Sequence, residues 1–346
     1  MDNIDLNLCN QISSYLNLSD VKALTSLSKN SYLNWRNHML YSYNQHRKDE
    51  SLTCLKGLKW IVDECTNDDL NDIIKKRLNM IDMSFHKNFD ESIEPLMSYA
   101  QIRSITFGYH FNQSMKPLLS CSHLQSITFG WMFDQSIESI ASCSYLQSIT
   151  FGVNFNQSIE PLASCSHLQS ITFGFHFNQS INALVSCSCL QSIAFERRFD
   201  KSIDALASCS HLRTITFGSD FNQSIESLAS CSHLRTITFG SDFNQSIESL
   251  ASCSHLQSII FGFDFNQSIE SLASCTNLQS ITFGYSFNQS IESLALCSHL
   301  QSITFGFKFN QSIEPLTSCG NIGQIRIYDV YSKIIPDELA DKIARR

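Results

Sequence analysis

Six histidines, His123, His167, His211, His233, His255 and His299, each stand two residues after a cysteine. A thiol so close to an imidazole is the pairing that activates a cysteine nucleophile, and both side chains ligate zinc. Catalysis, however, needs one constellation with an orienting third group and an oxyanion site, and here the pair is repeated with no such addition. Tyr145, Cys189 and Asn277 occupy the same position in other copies, as a half-exposed packing position would allow. The cysteines lie 22 residues apart, with one local Cys187-x-Cys189, so no zinc-knuckle spacing is present. There is also no glycine-rich phosphate loop and no paired catalytic carboxylate. These residues predict a protein that is not an enzyme, with no catalytic residues, no metal and no cofactor.

What must position these side chains is a repeat. Ten of the 14 cysteines form one column, from Cys121 through Cys143, Cys165 and onward to Cys319, and a phenylalanine opens each copy from Phe89 to Phe309 at the same 22-residue step. So short a period, held so long, specifies stacked coils that bury one another's apolar faces. In the copy around residue 130, Leu124–Phe129 reads as a strand with Ile127 and Phe129 on one face, Ser126 and Thr128 on the other, and Gly130 ending it. Ile137, Ile140 and Ala141 follow at helical spacing, which predicts a short helix or 3-10 turn. Ser136 is placed to cap it, and Glu138 lies in its first turn, as Pro95, Pro117, Pro161 and Pro315 do in their copies. Phe133, Ile137, Ile140, Cys143, Leu146, Ile149 and Phe151 typify seven inward columns. The position after the opening phenylalanine holds only Asn or Asp, from Asp90 and Asn112 to Asn310. Such side chains supply an oxygen for turn N–H groups, coil after coil. The cysteine column reads as reduced and buried, which suits an intracellular, cytoplasmic protein.

Composition narrows the partners. With a formal charge of -8 and few basic residues in the repeats, the chain offers no stripe of Lys and Arg to neutralise phosphates. No stretch of 18 apolar residues occurs, and Met1–Asp5 opens no signal peptide. Neither nucleic acid nor membrane is an expected partner.

The Phe-Asn-Gln-x-Ile core behind a Leu-x-x-Ile-x-Phe-Gly strand resembles the FNIP repeat, a relative of the leucine-rich repeat known from social amoebae and amoeba-infecting giant viruses. Serine stands here where that family has proline after Phe-Asn-Gln. The resemblance implies an α/β repeat solenoid of parallel β-strands stacked in 22-residue leucine-rich-repeat-like coils over residues 80–327. A small all-α N-terminal head and a C-terminal cap over residues 328–346 complete it, the latter with a helix starting near Pro336. Residues 8–32 resemble an F-box, with an amphipathic pattern and a Ser19-Asp20 helix start. An F-box-like domain over residues 1–45 would bind a Skp-type adaptor of a cullin complex through Leu8, Ile12, Leu16, Leu18, Val21 and Leu24. The alternative is a helical cap on the first coil. Residues 46–79 read as a helical linker and cap, with Leu52, Leu55, Leu58 and Ile61 at near-helical spacing. The resemblance as a whole implies the substrate-recognition subunit of an SCF-type ubiquitin ligase; the other reading is a repeat protein that binds other proteins without a ligase.

Copies differ most just after the strand glycine. Tyr109, His110, Trp131, Met132, Phe175, His176, Arg197, Arg198, Phe263, Tyr285 and Phe307 fall there, at the C-terminal rim of the strands. Aromatics and Arg are the residue types of interface anchors, and the expectation is that they bind a target protein. They also suit tolerant loop positions with some rings tucked between coils. Arg197 and Arg198 lie in the most divergent copy, where Glu196 replaces the glycine and Lys201 the glutamine.

Overall fold

The computed structural model of the chain describes residues 40–42, 59–62, 82–98 and 100–345. The chain divides into two compact units between Phe155 and Asn156. In the first, β1 (Leu40–Ser42), β2 (Lys59–Val62), β3 (Asp82–Phe85), β4 (Ser104–Thr106), β5 (Ser126–Thr128) and β6 (Ser148–Thr150) pair in chain order, all parallel. In the second, β7 (Ser170–Thr172), β8 (Ser192–Ala194), β9 (Thr214–Thr216), β10 (Thr236–Thr238) and β11 (Ser258–Ile260) pair likewise. They are followed in the same manner by β12 (Ser280–Thr282), β13 (Ser302–Thr304), β14 (Gln324–Ile327) and β15 (Ile343–Arg345).

Equal coil length keeps the ladders of the repeat in phase. Ser126 pairs with Ser148, Ile127 with Ile149 and Thr128 with Thr150, so within the repeat, from β4 to β6 and from β7 to β14, isoleucine meets isoleucine on the inner face, while Met83 of β3 faces Ile105. The return path of each coil carries a five-residue 3-10 turn, such as Glu138–Ser142 or Glu248–Ser252, and this turn forms the anticipated helical layer. No α-helix occurs among the described residues. The residue before the turn is Ile137, one later than the expected cap, yet the Ser136 hydroxyl still accepts the Glu138 N–H at 3.3 Å. Glu138 and the prolines stand in the first turn as anticipated, Pro117, Pro161 and Pro315 at its opening positions.

All seven inward columns are buried; in the coil around residue 140 none of their members exceeds 3% exposure. Two phenylalanine columns run side by side through each unit. Phe129 and Phe133 lie 4.0 Å apart within one coil, and Phe111 and Phe133 stack at 6.1 Å between coils with their rings 6° from parallel. The second unit repeats the pattern to Phe309, where Tyr331 stacks on the last ring at 6.1 Å.

Where glycine closes a strand, as at Gly240 and Gly262, crowding fixes it. A Cβ built on Gly240 would lie 1.8 Å from the Gly218 carbonyl oxygen, and one on Gly262 would lie 1.7 Å from that of Gly240.

Three expectations change. Residues 59–62, assigned above to a helical linker, form a strand in register with Asp82–Phe85, and Leu40–Ser42, assigned to the all-α head, pairs beside it. The aromatic and β-branched run Trp60-Ile61-Val62 satisfies an edge that β3 would otherwise leave open, which outweighs the near-helical spacing around it. At the other end the anticipated helix is a six-residue 3-10 turn, Asp337–Lys342, and the chain then adds β15 beside β14.

Candidate recognition surface

Each cysteine described in the repeat column from Cys121 to Cys319 is a buried thiol. The thiols are weak donors to the coil before: Cys209 Sγ lies 3.6 Å from the Cys187 carbonyl, and Cys319 Sγ lies 3.2 Å from that of Leu294. Burial pushes Cys121 up to about 11 and Cys209, Cys253 and Cys297 to about 12. A nucleophilic cysteine must be a thiolate near neutral pH, and these stay protonated.

The histidines beside them are held by the backbone. His211, His233, His255 and His299 donate Nδ1–H to the carbonyls of Ser188, Ser210, Ser232 and Thr276 at 3.1, 3.2, 3.0 and 3.0 Å. Asn277 replaces the imidazole with its own side-chain N–H, 2.8 Å from the Ser254 carbonyl, and Asn321 does the same to Ser298 at 2.9 Å. This coil-to-coil bond is a structural function that spacing did not disclose. The readable signal was that His and Asn, which share a donor at the same reach, alternate in one column. Among the described residues no group of three His, Cys, Asp or Glu side chains is placed to hold a metal ion.

The Asn/Asp column is a second ladder. The backbone N–H of Asn178 donates to Asn156 Oδ1 at 2.9 Å, that of Asn222 to Asp200 at 3.0 Å, and that of Asn266 to Asn244 at 2.9 Å. It ends on Ser332, whose N–H reaches Asn310 Oδ1 at 3.1 Å. Most coils add the next glutamine, as Gln245 Nε2 does to Asn222 Oδ1 at 3.0 Å. Lys201 stands where one such glutamine would be, and there Asn178 accepts the Asp200 N–H at 3.1 Å.

The rim loops lie beyond these ladders. Their backbone is pinned: Met132 N–H donates to the Tyr109 carbonyl at 3.0 Å, Asp264 to Ser241 at 2.8 Å, and Ser286 to Phe263 at 2.9 Å. The side chains are nevertheless exposed, Trp131 by 47% and Phe263 by 52%. In the first unit, Tyr109 stacks on Trp131 at 5.6 Å and meets His110 edge-on at 4.8 Å, with Met132 exposed beside them. In the second, Phe175 and His176 are half-buried and in edge contact at 4.9 Å. The guanidinium carbons of Arg197 and Arg198 lie 5.6 and 5.9 Å from the centre of the Phe175 ring. Further along, Phe263, Tyr285 and Phe307 form a parallel stack at 4.7 and 5.4 Å. The rim residues thus gather into separate clusters, and the half-buried Phe175 is the ring tucked under its neighbours. Leu8, Ile12, Leu16, Leu18, Val21 and Leu24 lie outside the described residues.

Residues 276–308 match the FNIP Repeat family model. The search of curated proteins returned no match. Among solved structures, an internalin, InlF, of Listeria monocytogenes is 16% identical, with 82% of this chain and 83% of that one covered at a TM-score of 0.64. CroV588, a circular leucine-rich-repeat protein, is 23% identical over 82% of this chain at a TM-score of 0.54; this chain spans 53% of its length. The structure of the Drosophila Toll–Spatzle complex matches 83% of this chain and 48% of that one, at 9% identity and a TM-score of 0.50. The fold is that of a leucine-rich-repeat protein, an architecture suited to protein–protein interaction and typically a scaffold. No helix among the described residues is long and apolar enough to cross a membrane.

Proposed function

We propose that this chain is a substrate-recognition subunit of an SCF-type cullin-RING ubiquitin ligase, non-enzymatic itself and acting in the cytoplasm. Residues 1–45 would bind the Skp-type adaptor through Leu8, Ile12, Leu16, Leu18, Val21 and Leu24, and the rim would hold the target protein. The observation that carries recognition is the combination at the rim of exposed aromatics and arginines with a hydrogen-bonded backbone. Anchors held this way lose little conformational freedom on binding. A protein ligand is in keeping with the Toll–Spatzle complex, which shares the fold. The ligase half rests on the F-box resemblance of residues 8–32.

The second reading, a repeat protein that binds partners without a ligase, is favoured by one observation. Strands β1 and β2 join the segment before the repeats to the sheet, as a cap would. Full-length chain and its Leu16→Asp variant, tested for capture of the purified adaptor, separate the two: capture by the wild type alone supports the ligase, and no capture by the wild type leaves the cap. For the rim, the triple change Trp131→Ser, Phe175→Ser and Phe263→Ser should deplete proteins co-purified with the wild type while leaving the melting temperature unchanged. An equal fall in stability would make these residues core.

A further inference from the structure

In the second unit the rim carries a file of acids next to its stack of aromatics. Asp220, Asp242 and Asp264 occupy the same position in three successive coils, about 4.8 Å apart by the spacing of strands. Each has its backbone N–H bonded to the preceding loop, at 2.9, 2.9 and 2.8 Å, so the main chain holds the file at the spacing of the coils. Arg197 pairs with Asp220 at 3.5 Å, and this is the one cation paired with the file among the described residues. Burial and the charges of Asp220 and Asp264 raise the Asp242 carboxyl above its ordinary value. Beside Asp264 begins the ladder of Phe263, Tyr285 and Phe307, exposed by 52%, 37% and 40%. The chain itself shows what such rings hold: Lys308 Nζ lies 5.4 Å from the centre of the Tyr285 ring.

We propose that this part of the rim docks a basic segment of a partner protein, with its arginine or lysine groups against Asp242 and Asp264 and its flanking side chains laid on Phe263, Tyr285 and Phe307. The inference rests on the rim being the recognition surface, and it adds the chemistry of what is recognised. Charge complementarity selects the occupant: the file holds two carboxylates beyond the one Arg197 meets, in a chain of net charge -8. An incoming guanidinium gains a carboxylate and an aromatic face together, which favours Arg over Lys. The same charge repels a phosphate backbone.

The test is fluorescence anisotropy of the full-length chain with a fluorescein-labelled peptide alternating arginine and leucine, and with its glutamate-for-arginine counterpart. The wild type should bind the first, more weakly as salt rises, and not the second. Asp242→Ser with Asp264→Ser should weaken binding at least tenfold, and so should Phe263→Ser with Tyr285→Ser. Glu248→Gln with Glu270→Gln, which removes equal charge from the 3-10 turns, should leave it unchanged, as should the thermal melt of every variant. Equal weakening by the turn variant, or binding of the glutamate peptide, would overturn the proposal. If Asp242→Ser with Asp264→Ser binds the arginine peptide like the wild type while the Trp131, Phe175 and Phe263 variant still loses its co-purified proteins, the basic-segment inference fails and the rim reading stands. If the triple variant loses nothing, the rim reading fails as well.

Discussion

Ser139 is 4% exposed and its hydroxyl has no hydrogen-bond partner. In four later coils a serine at the same position finds one: Ser227, Ser249, Ser271 and Ser293 donate to the carbonyl of an isoleucine one coil back, at 3.0, 2.9, 2.9 and 2.9 Å. A buried hydroxyl without a partner costs about 1–3 kcal/mol, and alanine already fills this column at Ala183 and Ala205. Ser139→Ala is therefore expected to raise the melting temperature, while Ser249→Ala lowers it. The Asn column gives the opposite case. Asn244 Oδ1 accepts both the Asn266 N–H at 2.9 Å and the Gln267 amide at 3.2 Å. Asn244→Leu should cost about 2 kcal/mol in a denaturant titration, whereas Asn244→Asp keeps the acceptor and should stay near the wild type. That column was legible because only Asn and Asp occupy it. The histidine bonds were not, since an imidazole beside a thiol suggests chemistry before it suggests a carbonyl. Thiol accessibility separates the two meanings: with a thiol reagent and peptide mapping at pH 8, exposed Cys189 should label well before the buried Cys209 or Cys253, whose acidity burial suppresses to about 12. A rapidly labelled column cysteine would restore the nucleophile reading.

Among the elements, the strand and its closing glycine act together. Consecutive strands approach so closely at the glycine that Gly218 would set a Cβ 1.9 Å from the carbonyl oxygen of Glu196 in the coil before. Gly240→Ala should accordingly destabilise the second unit, and Glu196→Gly, which restores the column's common residue, should raise the melting temperature. No change in either would mean that the loops yield more readily than the geometry implies. The repeat made strands and turns legible because identical residues recur in phase and reveal their faces. Beyond it, β2 was missed because Leu52, Leu55, Leu58 and Ile61 mimic a helical stripe, and the need of a parallel edge for a neighbour is invisible in local spacing. The same blindness hid β15, a pairing set by β14 rather than by its own Ile343-Ala344-Arg345.

At the scale of the molecule, the two hydrogen-bonded ladders and the aromatic columns are indifferent to which coil supplies the next rung. Removing Phe221–Asp242 would join Asp220 to Phe243, a junction of the kind already present between Asp242 and Phe243. The shortened chain should keep its circular dichroism spectrum and a cooperative melt, with some loss of stability. Removal of one residue fewer shifts every later side chain off its column and should abolish that melt. The architecture was legible at this scale; what the proposed rim surface would bind was not, because its residues are the ones the repeat leaves unconstrained. The coil thus behaves as a unit of inheritance as well as of packing. Recombination between near-identical stretches of coding sequence can lengthen or shorten the protein by whole coils, and each event gives selection a fresh rim position on a foundation already proven to fold.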